Sequence, residues 1–464
     1  MAETWFFDAS RLSHDSRPDP LTAPFSRARI DAAERAPPPL PPPRCRPRGG
    51  DGARRPALAR EGGFAQAEWA QDYSSPTTMQ VHRSSTPILS PDTIAATESM
   101  AEKYRAIVSR GGWQNVSGAA GLRVGSRGPA VAAVRQRLIV TGDLDATAGG
   151  AGVYDSYVAA GVKRFQARHG LSQTGQMSPA TQAAMNVPAE VRLRQLETNV
   201  IRLRSYSGDL GRRFVITNIP AALVQTVENG QVVTLHAAGV GKIDRQSPIM
   251  NTKATQINFN PTWTVPASIV RKDLIPKMQK DPNYLTDNKI RILSGGQEIS
   301  PRSVNWNSDE GTRYTYRQDS GADFNSMGVV RINIPNAHGV FMHDTNSRGV
   351  FGDDFRFISS GCVRVQNVRE YITWLLKDTP GWDRTRVEQA VESGQRIDAT
   401  LTQPVPVYWT YITAWATPDG TVQFRDDIYK RDGVNVPSTI EAPTPVASAA
   451  STRPEVYEPG DEEN

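Results

Sequence analysis

Cysteine is nearly missing from this 464-residue chain: Cys45 and Cys362 are the only two. That excludes a disulfide framework, and no Cys-x-x-Cys pair exists to suggest a zinc or redox motif. Long apolar runs are missing as well. Nothing approaches the ~18 residues a membrane-spanning helix needs. The opening MAETWFFDASRLSHDSRPDP has no basic segment followed by an apolar one, so no secretory signal is visible. Strong charge is lacking too. A net charge of +5 and a pI of 9.1 suit anionic surroundings but are too diffuse to argue for nucleic-acid binding. Nothing in the sequence bears on oligomeric state.

Lysine is absent before Lys103 and recurs afterwards. The same early region contains APPPLPPPRCRPRGGDG (36–52), a low-complexity run that favours extended polyproline conformation. Residues 1–100 are therefore expected to be a disordered leader, or the product of a start placed too far upstream, which would hide an export signal. At the other end, 437–464 is rich in Pro, Ala and Ser with an acidic finish, and is expected to be disordered.

What is present begins with three short helices. Val131, Val134, Leu138 and Ile139 recur at helical spacing behind Pro129. Val158, Val162 and Phe165 define a second helix, ended by Gly170. Ser178 and Pro179 start a third, with Ser as N-cap and Pro in the first turn. Residues 188–211 follow as a charged helix striped by Leu193, Leu196, Val200 and Leu203. It reads as a connector with a solvated Arg-rich face.

From Arg212 the period changes to two. Strands flank Glu228-Asn229-Gly230, a strong hairpin signal. Further strands are expected over 255–266, Val329–Ile334 and Gly339–His343, and a hairpin with a Pro-Asp-Gly turn within 404–433. A helix spans Val365–Lys377, burying Val368, Ile372, Leu375 and Leu376. The fold class is thus multidomain: a small three-helix unit (119–187), then a mainly β domain (212–436). The irregular stretch 267–328 is too long for a plain loop and is expected to be an inserted cap.

The chemistry concentrates in HGVFMHDTNSRGVFGDDFRFISSGCVRV (338–365). A lone cysteine can be simply a small buried hydrophobe. A nucleophilic one needs a nearby base or positive field. His343, at the end of an expected strand 19 residues before Cys362, is the better candidate base. Asp344 could orient its ring by side chain or by backbone carbonyl. Gly361 allows close backbone approach, and the N–H groups of Gly361 and Cys362 could face a developing oxyanion. The planar fork of Arg364 suits a substrate carboxylate, or else an ion pair with Asp353 or Asp354. A metal site is disfavoured: His338 and His343, five apart on one strand, would point to opposite faces, and no ligand-type spacing occurs.

Two resemblances follow from these residues. The pattern GSRG-x-x-V…L, YD…V…FQ…HGL and a final T…N helix, over 122–187, closely resembles the peptidoglycan-binding domain family, implying a wall-polymer binding module. FVITNIPAALVQTVENGQVV, GVGKIDRQSPIM, INFNPTWTVPASIVRKDLIPK, MGVVRINIPN, FMHDT and SSGCVRV resemble the L,D-transpeptidase catalytic domain of YkuD type, a β-sandwich. The likeness is to its larger subgroup, which has an inserted capping subdomain. Most members read Ser-His-Gly-Cys at the nucleophile. Here the stretch is Ser359-Ser360-Gly361-Cys362, which places more weight on His343. The resemblance implies acyl transfer on peptidoglycan stems in the cell envelope or periplasm, with tetrapeptide stems as donor and acceptor and no cofactor or metal. It implies Cys362 as nucleophile, His343 as general base and Gly361 at the oxyanion site. Arg364, Trp263, Ser360, His338 and Asp344 fall to substrate binding. Carbapenem-type inhibitors are expected to acylate Cys362.

Overall fold

The computed structural model describes residues 84–150, 152–433 and 439–440. Strands β1 (Arg213–Asn218), β2 (Leu223–Glu228), β3 (Gln231–Gly241), β4 (Met250–Phe259), β9 (Val330–Asn333), β10 (Met342–His343), β11 (Phe357–Ser359), β12 (Val363–Val365) and β13 (Ile397–Thr410) form one sheet. Their order is β11-β3-β12-β10-β9-β4-β13-β1-β2, and β2 pairs back onto β3. The expected mainly β domain is therefore a sheet closed on itself, which removes its own edges. The Asn229-Gly230 turn joins β2 to β3 with φ of 52° and 75°, as a two-residue hairpin of this kind requires.

Alternation along the strands separates two faces. Ile257, Ile332, Met342, Val363, Ala238 and Val240 point into the apolar core. Helix α9 (Val368–Leu376) packs on it through Val368, Ile372, Leu375 and Leu376, the side expected from its spacing. Helix α10 (Arg384–Glu392) adds Val387 and Ala390. The expected strand over 255–266 is broken at Asn260 (φ 45°), whose Nδ2 donates to the carbonyls of Ala390 and Gln395, both at 2.9 Å.

There the chain leaves the barrel. Between β4 and its neighbour β9 it builds a second sheet, order β5-β8-β6-β7, from β5 (Trp263–Thr264), β6 (Ile290–Ser294), β7 (Gln297–Ile299) and β8 (Thr315–Gln318). Helical turns Ala267–Ile269 (α6), Val270–Leu274 and Ile275–Lys280 (α7), with Tyr284–Asp287 (α8), cover it. Val270, Leu274, Leu285, Ile292 and Tyr316 form a separate core. This cap thus starts a few residues before 267, at Trp263.

Helices α2 (Pro129–Val140), α3 (Ser156–Arg168) and α4 (Pro179–Met185) pack around Val131, Val134, Leu138, Val158, Val162 and Phe165. Ser178 caps α4, accepting from Thr181 N, a contact worth ~1 kcal/mol. Three expectations need correction. First, residues 84–100 are not a disordered leader. Helix α1 (Pro91–Ser109), capped by Ser90, lies against α5 (Ala189–Arg204) and the hairpin β14 (Ala414–Ala416)–β15 (Val422–Phe424), burying Met100, Ala101 and Tyr104. Residues 1–83 lie outside the described residues. Second, α5 is not a solvated connector. Arg192 is 1% exposed, stacks 4.6 Å over Phe424 and donates to Gln195, while Asn199 Nδ2 donates to Thr413 Oγ1 at 2.7 Å. Its polar face is buried because the opposing hairpin supplies partners for it. Third, Thr439 and Ile440, inside the expected disordered tail, are tied to the Asp426 carboxylate; 441–464 lie outside the described residues. No helix among the described residues is long and apolar enough to cross a membrane.

Candidate active site

The turn that carries Cys362 is made by strands that straddle β3. β11 pairs with one edge of its C-terminal end and β12 with the other, so Ser360 and Gly361 cross over Gly241. A side chain at Gly241 would meet Arg245 O and Ser247 N at 2.4 Å, so only glycine lets the 242–247 loop fold back this closely. Gly361 has φ +112°, a conformation costly for any other residue. Ser247 Oγ donates to Gly361 O at 2.8 Å and accepts from Gly241 N at 3.0 Å. Ser359 Oγ donates to Cys362 O and accepts from Gly361 N at 3.1 Å. The Gly361 N–H is thus already engaged and does not face the cleft as an oxyanion donor, a correction to the expectation. The Cys362 N–H has no acceptor among the described residues.

Register brings the reactive groups together. β10 lies parallel to β12 with His343 opposite Arg364, and antiparallel to β9 with His343 opposite Arg331. Cys362 is two residues before Arg364, so Cys362, His343 and Arg364 share the face turned away from the core. All three line a cleft of about 170 Å³ between barrel and cap, together with Trp263, Met327 and Phe341. Ser360 and His338 line it too. Trp263 serves both candidate roles, as part of the cap core and as a wall of the cleft.

His338 corrects a premise. The strand holding His343 is only Met342–His343, and Gly339 turns the chain with φ +67°. His338 is therefore a loop residue on the rim of the same cleft, not a residue on the opposite face. Of the two ways Asp344 could act on the His343 ring, the backbone is the one used. Its side chain, one residue after His343, points the other way and does not line the cleft. Its Oδ2 accepts from Val329 N at 3.0 Å, and burial raises its pKa. The Asp354 carboxylate accepts from Ser172 Oγ at 2.7 Å, and Asp353 meets Arg356 through its backbone carbonyl.

Electrostatically the site rests uncharged. Burial, then repulsion from Arg364, pushes the His343 imidazole down to about 3, with the Asp344 backbone working the other way. Burial pushes the Cys362 thiol up to about 11, against the pull of Arg331 and Arg364. The His343 Nδ1 is buried without a partner among the described residues. At neutral pH the pair is thiol and neutral imidazole, with two guanidiniums close enough to stabilise a thiolate once it forms. No group of three or more His, Cys, Asp or Glu able to hold a metal ion occurs among the described residues.

Residues 212–388 match the family model described as "L,D-transpeptidase catalytic domain", and 127–185 the one described as "Putative peptidoglycan binding domain". A curated "Putative L,D-transpeptidase" of Haemophilus influenzae is 33% identical over 219 residues, 47% of this chain and 44% of that protein. The chain thus spans less than half the length of that relative. Solved structures include an L,D-transpeptidase from Xylanimonas cellulosilytica (16% identity, 63% of this chain and 98% of that one, TM-score 0.21). Another, from Stackebrandtia nassauensis, shares 12% identity over 62% of this chain and 94% of that one, TM-score 0.26. At such TM-scores the likeness is too loose to support a statement about this chain.

The barrel and its cap also place residues near the site that the sequence pattern did not single out. Arg245 grips Asp273 of the cap with two bonds, at 2.5 and 2.9 Å, and donates to Ser360 Oγ at 3.0 Å. Phe341 meets the His343 ring edge-on at 5.5 Å. Arg331 projects from the next strand. It takes the outward position in the alternation Val330-Arg331-Ile332-Asn333, which by pattern alone cannot be told from an ordinary solvated arginine.

Proposed function

We propose that this protein is a cysteine-dependent L,D-transpeptidase that forms 3→3 cross-links between peptidoglycan stem peptides. The observation that carries the reading is the common face of Cys362, His343 and Arg364 at the floor of one capped cleft. The Cys362 sulfur attacks the carbonyl on the L-centre of the third residue, a diamino acid, in a tetrapeptide stem. His343 takes the thiol proton and passes it to the departing amine of D-Ala, leaving a thioester. A side-chain amine of another stem then attacks the thioester carbon, giving the cross-link and restoring the thiol.

Arg364 connects binding to chemistry. After burial, its charge is the next cause holding the His343 pKa down. A substrate carboxylate on Arg364 cancels that repulsion and makes the imidazole a stronger base when substrate is in place. The Cys362 N–H is the available oxyanion donor, and Gly361 acts by shaping the turn. The helical module at 127–185 holds the enzyme on the polymer and raises local substrate concentration, which places the protein in the cell envelope.

The test is incubation of the full chain with purified tetrapeptide muropeptides, followed by mass analysis. Expected are 3→3 dimers and loss of D-Ala with the wild type, and neither with Cys362→Ala, which stays folded and still sediments with sacculi. A carbapenem should add covalently to Cys362 alone. Tripeptide monomers without dimers would mean that water resolves the thioester, an L,D-carboxypeptidase; dimers persisting in Cys362→Ala would overturn the assignment.

A further inference from the structure

His343 and Arg364 belong to a row that runs across adjoining strands as Asn258, Arg331, His343 and Arg364, each opposite the next. The proposed mechanism leaves Arg331 unused. Its Nε is buried with no hydrogen-bond partner, and no ion pair or side-chain hydrogen bond engages its guanidinium among the described residues. The group lies flat over Phe341, 4.6 Å from the ring centre. Asp398, the acid whose charge reaches it, is already held by Asn258 Nδ2 at 2.8 Å and Arg396 at 3.8 Å. A half-buried cation without an anion is costly unless an anion arrives.

Its position tells which anion. Arg331 does not line the capped cleft; Phe341 stands between the two. Yet Arg331 and Cys362 lie close enough to feel each other's charge. The reaction centre therefore has guanidiniums on two sides, Arg364 within the cleft and Arg331 outside it. The walls of the cleft, Trp263, Ile269, Met327 and Phe341, suit the acyl chain of the first substrate. A second substrate must reach the thioester carbon from the side left open.

We propose that Arg331 is the carboxylate anchor for the second substrate, an amine whose neighbouring carbon bears a carboxylate. This rests on the acyl-transfer reading above. With the carboxylate on Arg331, the adjacent nitrogen is held against the thioester carbon. The amine gives one proton to His343, the C–N bond forms, the C–S bond breaks, and sulfur takes the proton back from His343. Arg331 selects acceptor over water and does not itself handle a proton.

The experiment uses the full chain as wild type, Arg331→Gln and Arg331→Lys. Thioester formation from a tetrapeptide stem is followed by mass spectrometry. Transfer is then measured to meso-diaminopimelate and to its diamide, in which both carboxylates are neutral. The wild type should prefer the free carboxylates. In Arg331→Gln that preference should vanish, and transfer relative to thioester formation should fall about 10- to 100-fold, the range one charge-assisted contact supports. Arg331→Lys should recover part of it. An unchanged preference in Arg331→Gln would overturn the inference, as would thioester formation falling as far as transfer. A higher pH midpoint for iodoacetamide alkylation of Cys362 with the preference intact would also overturn it, showing only thiolate stabilisation. Failure of the wild type to form a thioester would instead remove the proposed function itself.

Discussion

The barrel and the cap both wall the cleft, but they hold their side chains by different means. On the barrel, Cys362, His343, Arg364 and Arg331 stand on neighbouring strands whose backbone ladder sets their spacing, and every alternate residue is anchored in the core. The cap has its own four-stranded sheet and its own core, and it grips the nucleophile turn through the Arg245–Asp273 pair. The groups proposed to do the chemistry sit on the rigid element, and those that shape the entrance sit on an insertion with an independent core. That division allows the entrance to vary without disturbing the reacting atoms.

The largest break in this comparison should come from the barrel side of the turn. Gly361→Ala adds a Cβ at φ +112°, 3.3 Å from Val340 Cγ1 and 3.4 Å from Gln246 O. Expected is a loss of about 100-fold in carbapenem acylation, the size of effect a misplacement of about 1 Å produces. The stability cost should be ~1–3 kcal/mol. Stopped-flow acylation alongside thermal melting checks this, and near wild-type acylation would mean that the turn tolerates a side chain.

Acid should separate the two regions next. His343 and His236 are buried in the barrel, whereas 263–328 contains no histidine. Burial pushes His236 down to about 4, while Gln366 O pulls the other way. The unfolded chain binds that proton from about pH 6.5, and the folded barrel refuses it until about 4. Stability is therefore full above pH ~6.5 and is lost as pH falls towards 4, by ~3 kcal/mol for this one group. Urea midpoints between pH 7 and 4.5 should fall for the wild type and fall less for His236→Gln. Equal slopes would show that His236 does not drive the loss.

The smallest effect should come from the cap's grip. The Arg245–Asp273 side chains are only 17% and 11% exposed, so the pair is largely desolvated; Asp273→Asn keeps an accepting oxygen and should cost ~2 kcal/mol. It should raise the KM of the donor stem several-fold with kcat less affected. A change in kcat alone would place the pair in the chemistry rather than at the entrance.

Much of the fold was legible because it rests on local signals. Ser178-Pro179 starts α4, Asn229-Gly230 turns a hairpin, and Val368, Ile372, Leu375 and Leu376 mark the buried side of α9. Less legible was whatever depends on a partner distant in sequence. Arg192 and Asn199 look solvated until the 413–425 hairpin covers them. Residues 84–100 look like leader until α5 packs on the helix they begin. At the site, Cys362 and His343 stood out as rare reactive types in one stretch. The direction of Asp344 and the engagement of the Gly361 N–H could not be read, since both depend on where β10 ends and how Ser359 turns.

Composition and spacing alone determined that a single cysteine of the globular part, with a histidine 19 residues before it, lies in a β-rich domain behind a helical module. They did so because periodicity, turn residues and scarce reactive types are local properties of the chain. Only the tertiary structure decided that Arg331, His343 and Arg364 form one row beside Cys362, and that Arg331 alone of them lies outside the capped cleft, against Phe341. Strand register between segments far apart in sequence is set by closure of the sheet and burial of its inner face, and no local pattern encodes it.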